Sequence, residues 1–337
     1  MKLFPFGILL LGFVSCNSGN PEEKTVYKTT GSIEVIAPSL PGIIDSTAKI
    51  EVIAEGFDWT EGPLWLEEKQ ALLFSDIPPN KIFKWTEEKG VELYLTPSGY
   101  TGSTPRTGEP GSNGLLLNGK GQLVLCQHGD RKMAVMDAPL DKPAAQFATI
   151  TDNYQGKKLN SPNDAVYRGN GDLLFTDPPY GLEKNADDPS KEIPFQGVFL
   201  VKPSGEVKLL TDTITRPNGI GLLNGETTLI VANSDGEKAA WYLYDIDDND
   251  RLQNARVLYD ATKESKAEGG VPDGLKVDRS GNIFATGPGG VWIFDAEGKL
   301  AGKLRIPGPC SNVSLGNDDK TLYITNDDQI LRVKMRP

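Results

Sequence analysis

Two carboxylates and four carboxamides recur at one phase of this sequence, and they are the side chains best placed to do chemistry. Glu61, Asn113, Asn163, Asn218, Asp273 and Asn312 stand in the short motifs Thr60-Glu61-Gly62-Pro63, Ser112-Asn113-Gly114, Ser161-Pro162-Asn163-Asp164, Arg216-Pro217-Asn218-Gly219, Val271-Pro272-Asp273-Gly274 and Cys310-Ser311-Asn312-Val313, spaced by 52, 50, 55, 55 and 39 residues. Two carboxylates brought to one point repel unless a cation lies between them. One divalent ion would neutralise both, and amide carbonyls would complete a hard oxygen shell. Ca²⁺ suits that shell best, and Mg²⁺, Mn²⁺ or Zn²⁺ could occupy it. Asn and Asp also favour turns, but Glu does not, and the phase recurs six times. The one His of the chain, His128, excludes His-based zinc sites, and no G-x-S-x-G elbow presents a nucleophilic serine.

Whatever positions six such residues must itself repeat. With 37 Gly and 24 Pro in 337 residues, the composition favours short strands and turns over a helix bundle. Each motif is followed by a turn such as Arg168-Gly169-Asn170-Gly171 and an apolar run such as Leu173-Leu174-Phe175, then by a third strand and, in five of six units, a fourth. The sixth unit runs out of chain first, and residues Ile50 to Ala54, left over before the first motif, supply its missing strand. The reading is all-β: a six-bladed β-propeller of four-stranded antiparallel blades, its ring closed by an N-terminal strand. In that fold the first strand of each blade is innermost, so the six residues ring the central channel at one mouth. The long loops Pro97 to Gly111, Pro178 to Gln196 and Asp260 to Gly270 open on the same face. They are expected to wall or cover it. His128, Asp177, Asn233 and Asn326 close second strands and are expected at this mouth, and Arg106 lies in the first loop. The five Trp are expected to pack between strands.

A formal charge of −11 argues against a nucleic-acid partner, which demands a basic face. A neutral small molecule fits better. Lys2 precedes an apolar run from Leu3 to Val14, too short to span a bilayer, which ends in Phe13-Val14-Ser15-Cys16. This ending resembles a bacterial lipobox, with Cys16 as the lipid-attachment residue. Residues 1–16 therefore read as a lipoprotein signal, 17–48 as a tether and 49–337 as the propeller. An exported monomer is expected, lipid-anchored to a bacterial membrane on its periplasmic or outer face. Cys126 and Cys310, in dissimilar contexts, do not form a disulfide framework.

The stretches Glu61-Gly62-Pro63-Leu64-Trp65, Ser161-Pro162-Asn163-Asp164, Phe175-Thr176-Asp177-Pro178-Pro179-Tyr180-Gly181, Arg216-Pro217-Asn218-Gly219 and Pro272-Asp273-Gly274 resemble the gluconolactonase and senescence-marker-protein (regucalcin-like) family. Ser98-Gly99-Tyr100-Thr101-Gly102 and Gln127-His128-Gly129-Asp130 look like its bacterial gluconolactonase branch. The resemblance implies a six-bladed propeller that hydrolyses a sugar lactone with one divalent cation. It places the metal ligands on Glu61, Asn163, Asn218 and Asp273, with Asp273 also the general base. Asn113, Asn163, His128, Arg106 and Asp177 make up the expected substrate-facing set, and His128 the second catalytic residue. Two other readings stay open: a related esterase or phosphotriesterase, and a lipid-tethered binding propeller whose cation is only structural.

Overall fold

Six sheets radiate from one channel in the computed structural model, which describes residues 26–336. Blade 1 comprises Thr60–Leu66, Ala71–Asp76, Lys81–Thr86 and Gly90–Leu95, each strand antiparallel to the next. Blades 2, 3, 4 and 5 repeat this order from Ser112–Leu117, Ala165–Tyr167, Pro217–Leu223 and Leu275–Val277 as their innermost strands. Blade 6 uses both ends of the propeller: Cys310–Gly316, Thr321–Asn326 and Gln329–Lys334 are completed by Ile50–Glu55, antiparallel to Gln329–Lys334. The ring is therefore closed by the N-terminal strand, as the repeat count required.

The second strands are buried along their whole length, as in Leu173–Asp177 and Ile283–Gly287. A strand covered on both faces by neighbouring blades reads as continuous apolar sequence rather than an alternation. Large aromatics fill the widening gaps between blades. Trp85, Trp241 and Trp292 are fully buried, and Trp65 of blade 1 stacks on Tyr323 of blade 6 with ring centroids 4.8 Å apart, a contact of about 0.5–1.5 kcal/mol beyond its buried area. Among the described residues Cys126 and Cys310 form no disulfide, and both are buried.

The sequence reading needs correction at its N-terminal side. Cys16, the signal segment and residues 17–25 lie outside the described residues, but 28–44, read as part of a tether, is built onto the propeller. Lys28–Thr30 pairs with Ile50–Glu55, and Ser32–Val35 pairs with Leu300–Arg305, so blades 6 and 5 each gain a fifth strand. A helical turn, Leu40–Ile43, then buries Leu40, Ile43 and Ile44 in the core shared by these blades. The segment does carry apolar residues, Ile33, Val35, Leu40, Ile43 and Ile44 among them, but its two strands are short, Lys28–Thr30 and Ser32–Val35, and they stand outside the four-strand repeat that marks the blades.

Candidate active site

The six recurring residues do converge. Each sits at or just before the start of an innermost strand, where the blades come closest, and the residue after it explains much of the motif. Gly62 has φ +52°, and a Cβ there would stand 2.1 Å from the Asn113 carbonyl; a Cβ on Gly274 would stand 2.0 Å from Asn312 Cγ. Only glycine lets one blade approach the next so closely. Backbone hydrogen bonds pass from blade to blade here, from Gly114 N–H to the Asn163 carbonyl (2.8 Å) and from Gly219 N–H to the Asp273 carbonyl (3.1 Å).

A second layer, not read from the sequence as functional, fixes the ring. The fully buried hydroxyls of Ser75, Thr176, Thr286 and Ser311 donate to the carbonyls of Asn113 (2.9 Å), Asn218 (2.7 Å), Ser311 (3.0 Å) and Thr60 (2.6 Å) on the following blades. Two of them had a signal in sequence: Ser75 and Thr176 directly precede Asp76 and Asp177, which close second strands as Asn233 and Asn326 do. Those strand-closing residues act as clamps. Asp76 Oδ1 accepts the N–H groups of Asp58 and Trp59, Asn233 Oδ1 accepts that of Arg216, and Asn326 Nδ2 donates to the Pro307 carbonyl.

Asp177 belongs with the clamps and not with the substrate-facing set. It is fully buried and its oxygens accept the N–H groups of Asn160 and Ser161, both at 2.7 Å. Burial pushes its pKa up to about 7 against the pull of these bonds. Replacement by Ala strands two buried N–H donors beside Asn163, and Asp177→Ala is expected to cost about 2–4 kcal/mol of stability, measurable by urea denaturation. An unchanged midpoint would show that the clamp is dispensable.

Above the ring lies a cavity of about 850 Å³. All three long loops line it, through Glu109, Tyr180 and Glu268, together with Trp59, Arg216 and five of the ring residues. The third loop carries a short helix, Thr262–Glu268. Trp59 corrects the expectation that every Trp packs between strands: it is partly exposed and faces the cavity. Asn312 is the ring residue that does not line it. Its Nδ2 donates to Glu61 Oε2 at 3.3 Å and to Asp164 Oδ2 at 3.4 Å, and its Oδ1 accepts the Val313 N–H.

Four other ring oxygens have no such partner. Oδ1 of Asn113, Asn163, Asn218 and Asp273 are buried without a hydrogen-bond partner among the described residues, although buried polar atoms are almost always paired. Burial pushes the Glu61 pKa up to about 8, with the Asp164 charge adding to it. Asp273 is held well above the usual carboxylate range, first by burial and then by the charges of Glu61, Glu109 and Asp164. Orphaned oxygens beside carboxylates that resist ionisation are what a hard cation would satisfy, since its charge reverses both effects. Among the described residues no three His, Cys, Asp or Glu side chains gather at one point, so amide oxygens must share in any such shell.

His128 and Arg106 stand behind this cavity rather than in it. His128 is fully buried, with neither ring nitrogen hydrogen-bonded among the described residues, and Nδ1 lies 3.4 Å from Oε2 of the cavity residue Glu109. Gly181 covers it so closely that a Cβ there would be 2.7 Å from His128 Cβ. The strand end does point to the mouth, but the second long loop folds over it. Arg106 spends both terminal nitrogens on carbonyls, at 2.7 Å to Gly129 and also to Gly181. It straps the first loop to the second.

Known proteins share this fold and sequence pattern. A family model described as "SMP-30/Gluconolactonase/LRE-like region" matches residues 59–327. The gluconolactonase of Zymomonas mobilis is 38% identical over 314 residues, covering 91% of this chain and 87% of that protein. The pentonolactonase of Haloferax volcanii is 23% identical over 272 residues, covering 79% of this chain and 80% of that protein. The structure of a gluconolactonase from Xanthomonas campestris superposes with a TM-score of 0.78 at 26% identity, covering 94% of this chain and 99% of that one. The chain belongs to the SMP-30/gluconolactonase/LRE-like family.

Proposed function

We propose that this protein is a lactonase that opens sugar lactones by hydrolysis, with one divalent cation held by Glu61, Asn163, Asn218 and Asp273. Three orphaned amide oxygens and the orphaned Oδ1 of Asp273, beside Glu61 at the floor of the cavity, carry this reading, and the lactonases among its relatives supply the reaction class. Asn113 presents the same unpartnered Oδ1, so it serves either the ion or the substrate from the same ring. Ca²⁺ is the best match to a set made only of oxygen.

When bound, the cation polarises the ester carbonyl and makes a water more acidic. Asp273 accepts the proton of the attacking water at its carboxylate and returns it to the ring oxygen that leaves as the C–O bond breaks. Glu61 is poorly placed for that work, because Oε2 is held by the Gly62 N–H (3.0 Å) and by Asn312. It serves as fixed charge. Trp59 offers an apolar face to the CH groups of a sugar ring, while Arg216, Tyr180 and Glu109 offer partners to its hydroxyls. His128 acts at one remove, by positioning Glu109. Trp59→Ala is expected to raise KM about tenfold with little change in kcat, since stacking on an aromatic is worth about 0.5–1.5 kcal/mol. The same change in kcat and kcat/KM would instead implicate the transition state.

We place the reaction outside the cytoplasm, on a monomer anchored through Cys16; the apolar run Leu3 to Val14 and the lipobox-like ending at Cys16 support the export and the anchor. The deciding experiment follows acid release from five- and six-carbon aldonolactones, simple esters and a phosphotriester, using protein lacking residues 1–16, with Ca²⁺, Mg²⁺, Mn²⁺ or Zn²⁺ or with chelator. Turnover of the aldonolactones above their spontaneous rate, lost on chelation, is the expected result. A protein that binds an ion yet turns over none of these would be a binding propeller.

A further inference from the structure

Below the ring, the channel is crossed by polar side chains that hydrolysis does not use. Asp164 follows Asn163 where blades 1, 2, 4 and 5 have Gly, and it is buried. Its Oδ1 accepts the Ala165 N–H at 2.9 Å. Its Oδ2 accepts from Lys276 Nζ at 3.2 Å and from Asn312 Nδ2 at 3.4 Å. Asn312 belongs to blade 6 and Asp164 to blade 3, so this bond spans the channel, and the same Nδ2 reaches Glu61 Oε2. Lys276, from the innermost strand of blade 5, also donates to the Leu275 carbonyl (2.9 Å) and stands 3.5 Å from Asn312 Oδ1. Three buried or half-buried carboxylates thus share the channel, and Lys276 supplies the ammonium bonded among them.

We propose that Lys276 is a built-in counter-cation for the ring. Its ammonium neutralises Asp164 and, through Asn312, holds Glu61 in place, so that a divalent ion meets the charge of Glu61 and Asp273 alone. Lys276 is a positioning residue and touches no substrate. The inference rests on the metal-site reading above, and its test is read on ion binding and on the stability of the ion-free protein.

Coulomb's law makes the two ends of this pair act in opposite senses. Without the ammonium, Asp164 adds its attraction to that of the ring; without the Asp164 charge, the ammonium repels the incoming ion. A pair that only packs the channel would weaken binding from either end. Calorimetric titration of chelator-stripped protein with Ca²⁺ is expected to show Lys276→Met binding at least about tenfold tighter and Asp164→Asn at least about tenfold weaker. The double variant should return to within about threefold of the parent, because the two charges leave together. Lys276→Arg keeps the charge and should also stay within about threefold. In thermal unfolding, stripped Lys276→Met should melt below the parent, with Ca²⁺ recovering the loss, since an unpaired buried carboxylate remains. Single variants that shift affinity in the same direction, or not at all, overturn the counter-cation. A parent protein that takes up none of Ca²⁺, Mg²⁺ or Mn²⁺ would overturn the metal-site reading itself, and this inference with it.

Discussion

Asp273→Asn is expected to lose a factor of about 10² to 10⁴ in kcat, the usual contribution of a positioned general base, while still taking up the ion. The substitution keeps the size of the side chain and its carbonyl-like Oδ1, which is buried and unpartnered in the ring. It removes one negative charge and the proton acceptor. Glu61→Gln removes a charge too, but from a carboxylate whose Oε2 is already occupied by Gly62 and Asn312. Its defect should lie in ion affinity, and saturating ion should restore much of its rate. Both variants are to be titrated with Ca²⁺, or the best-supporting ion, while lactone opening is followed by acid release. If saturating ion rescues the two equally, Asp273 is a ligand only, and Glu109, the cavity carboxylate beside His128, becomes the next base to test.

Chelation should abolish turnover, leave the propeller folded, and make its stability depend on pH in an unusual sense. The core between blades is apolar and does not involve the ring. In the ion-free protein burial holds Glu61 at about 8 and Asp273 well above its ordinary range. A carboxyl group whose folded pKa is raised binds its proton more tightly in the native state than in the unfolded chain. Stability is then full below the unfolded pKa, near 4.5 for Glu61, and is lost as pH climbs through the folded value. Scanning calorimetry of chelated protein should show Tm falling by on the order of 10 °C between pH 5 and pH 8. Added Ca²⁺ should flatten that slope. A chelated protein whose Tm is level or rises over this interval would show that the two carboxylates do not share an ion-dependent site.

The ring and the ring-closing strand were legible because both are periodic. A residue type that recurs once per blade cannot be placed by local turn preference six times over, and the leftover strand at Ile50 has one unit still lacking a partner. The loops were legible only in their location. Which side chains they turn inward depends on contacts between loops. Arg106 was expected to meet substrate but is drawn to the Gly129 and Gly181 carbonyls, and Glu109, three residues later, takes the cavity wall. His128 was misplaced for the same reason, since nothing near it in sequence says that Gly181 will cover it. Lys276 was hidden differently. Its meaning comes from Asp164 and Asn312, 112 and 36 residues away, and a single Lys in a strand carries no motif.

The closure of blade 6 by residues from both ends also sets the order of assembly. Glu61 of blade 1 and Asn312 of blade 6 touch between the innermost strands of the first and last blades, and blade 6 is itself completed only when Ile50–Glu55 meets Gln329–Lys334, so the site has no complete precursor in a partly synthesised chain. Five blades emerge before the final strand, Gln329–Lys334, exists to capture the waiting N-terminal one. Uptake of the proposed ion would then be a late event, reporting on a finished circle rather than on any single repeat. A truncation that removes the last strand should forfeit the ion along with the blade, even though every proposed ligand is still encoded.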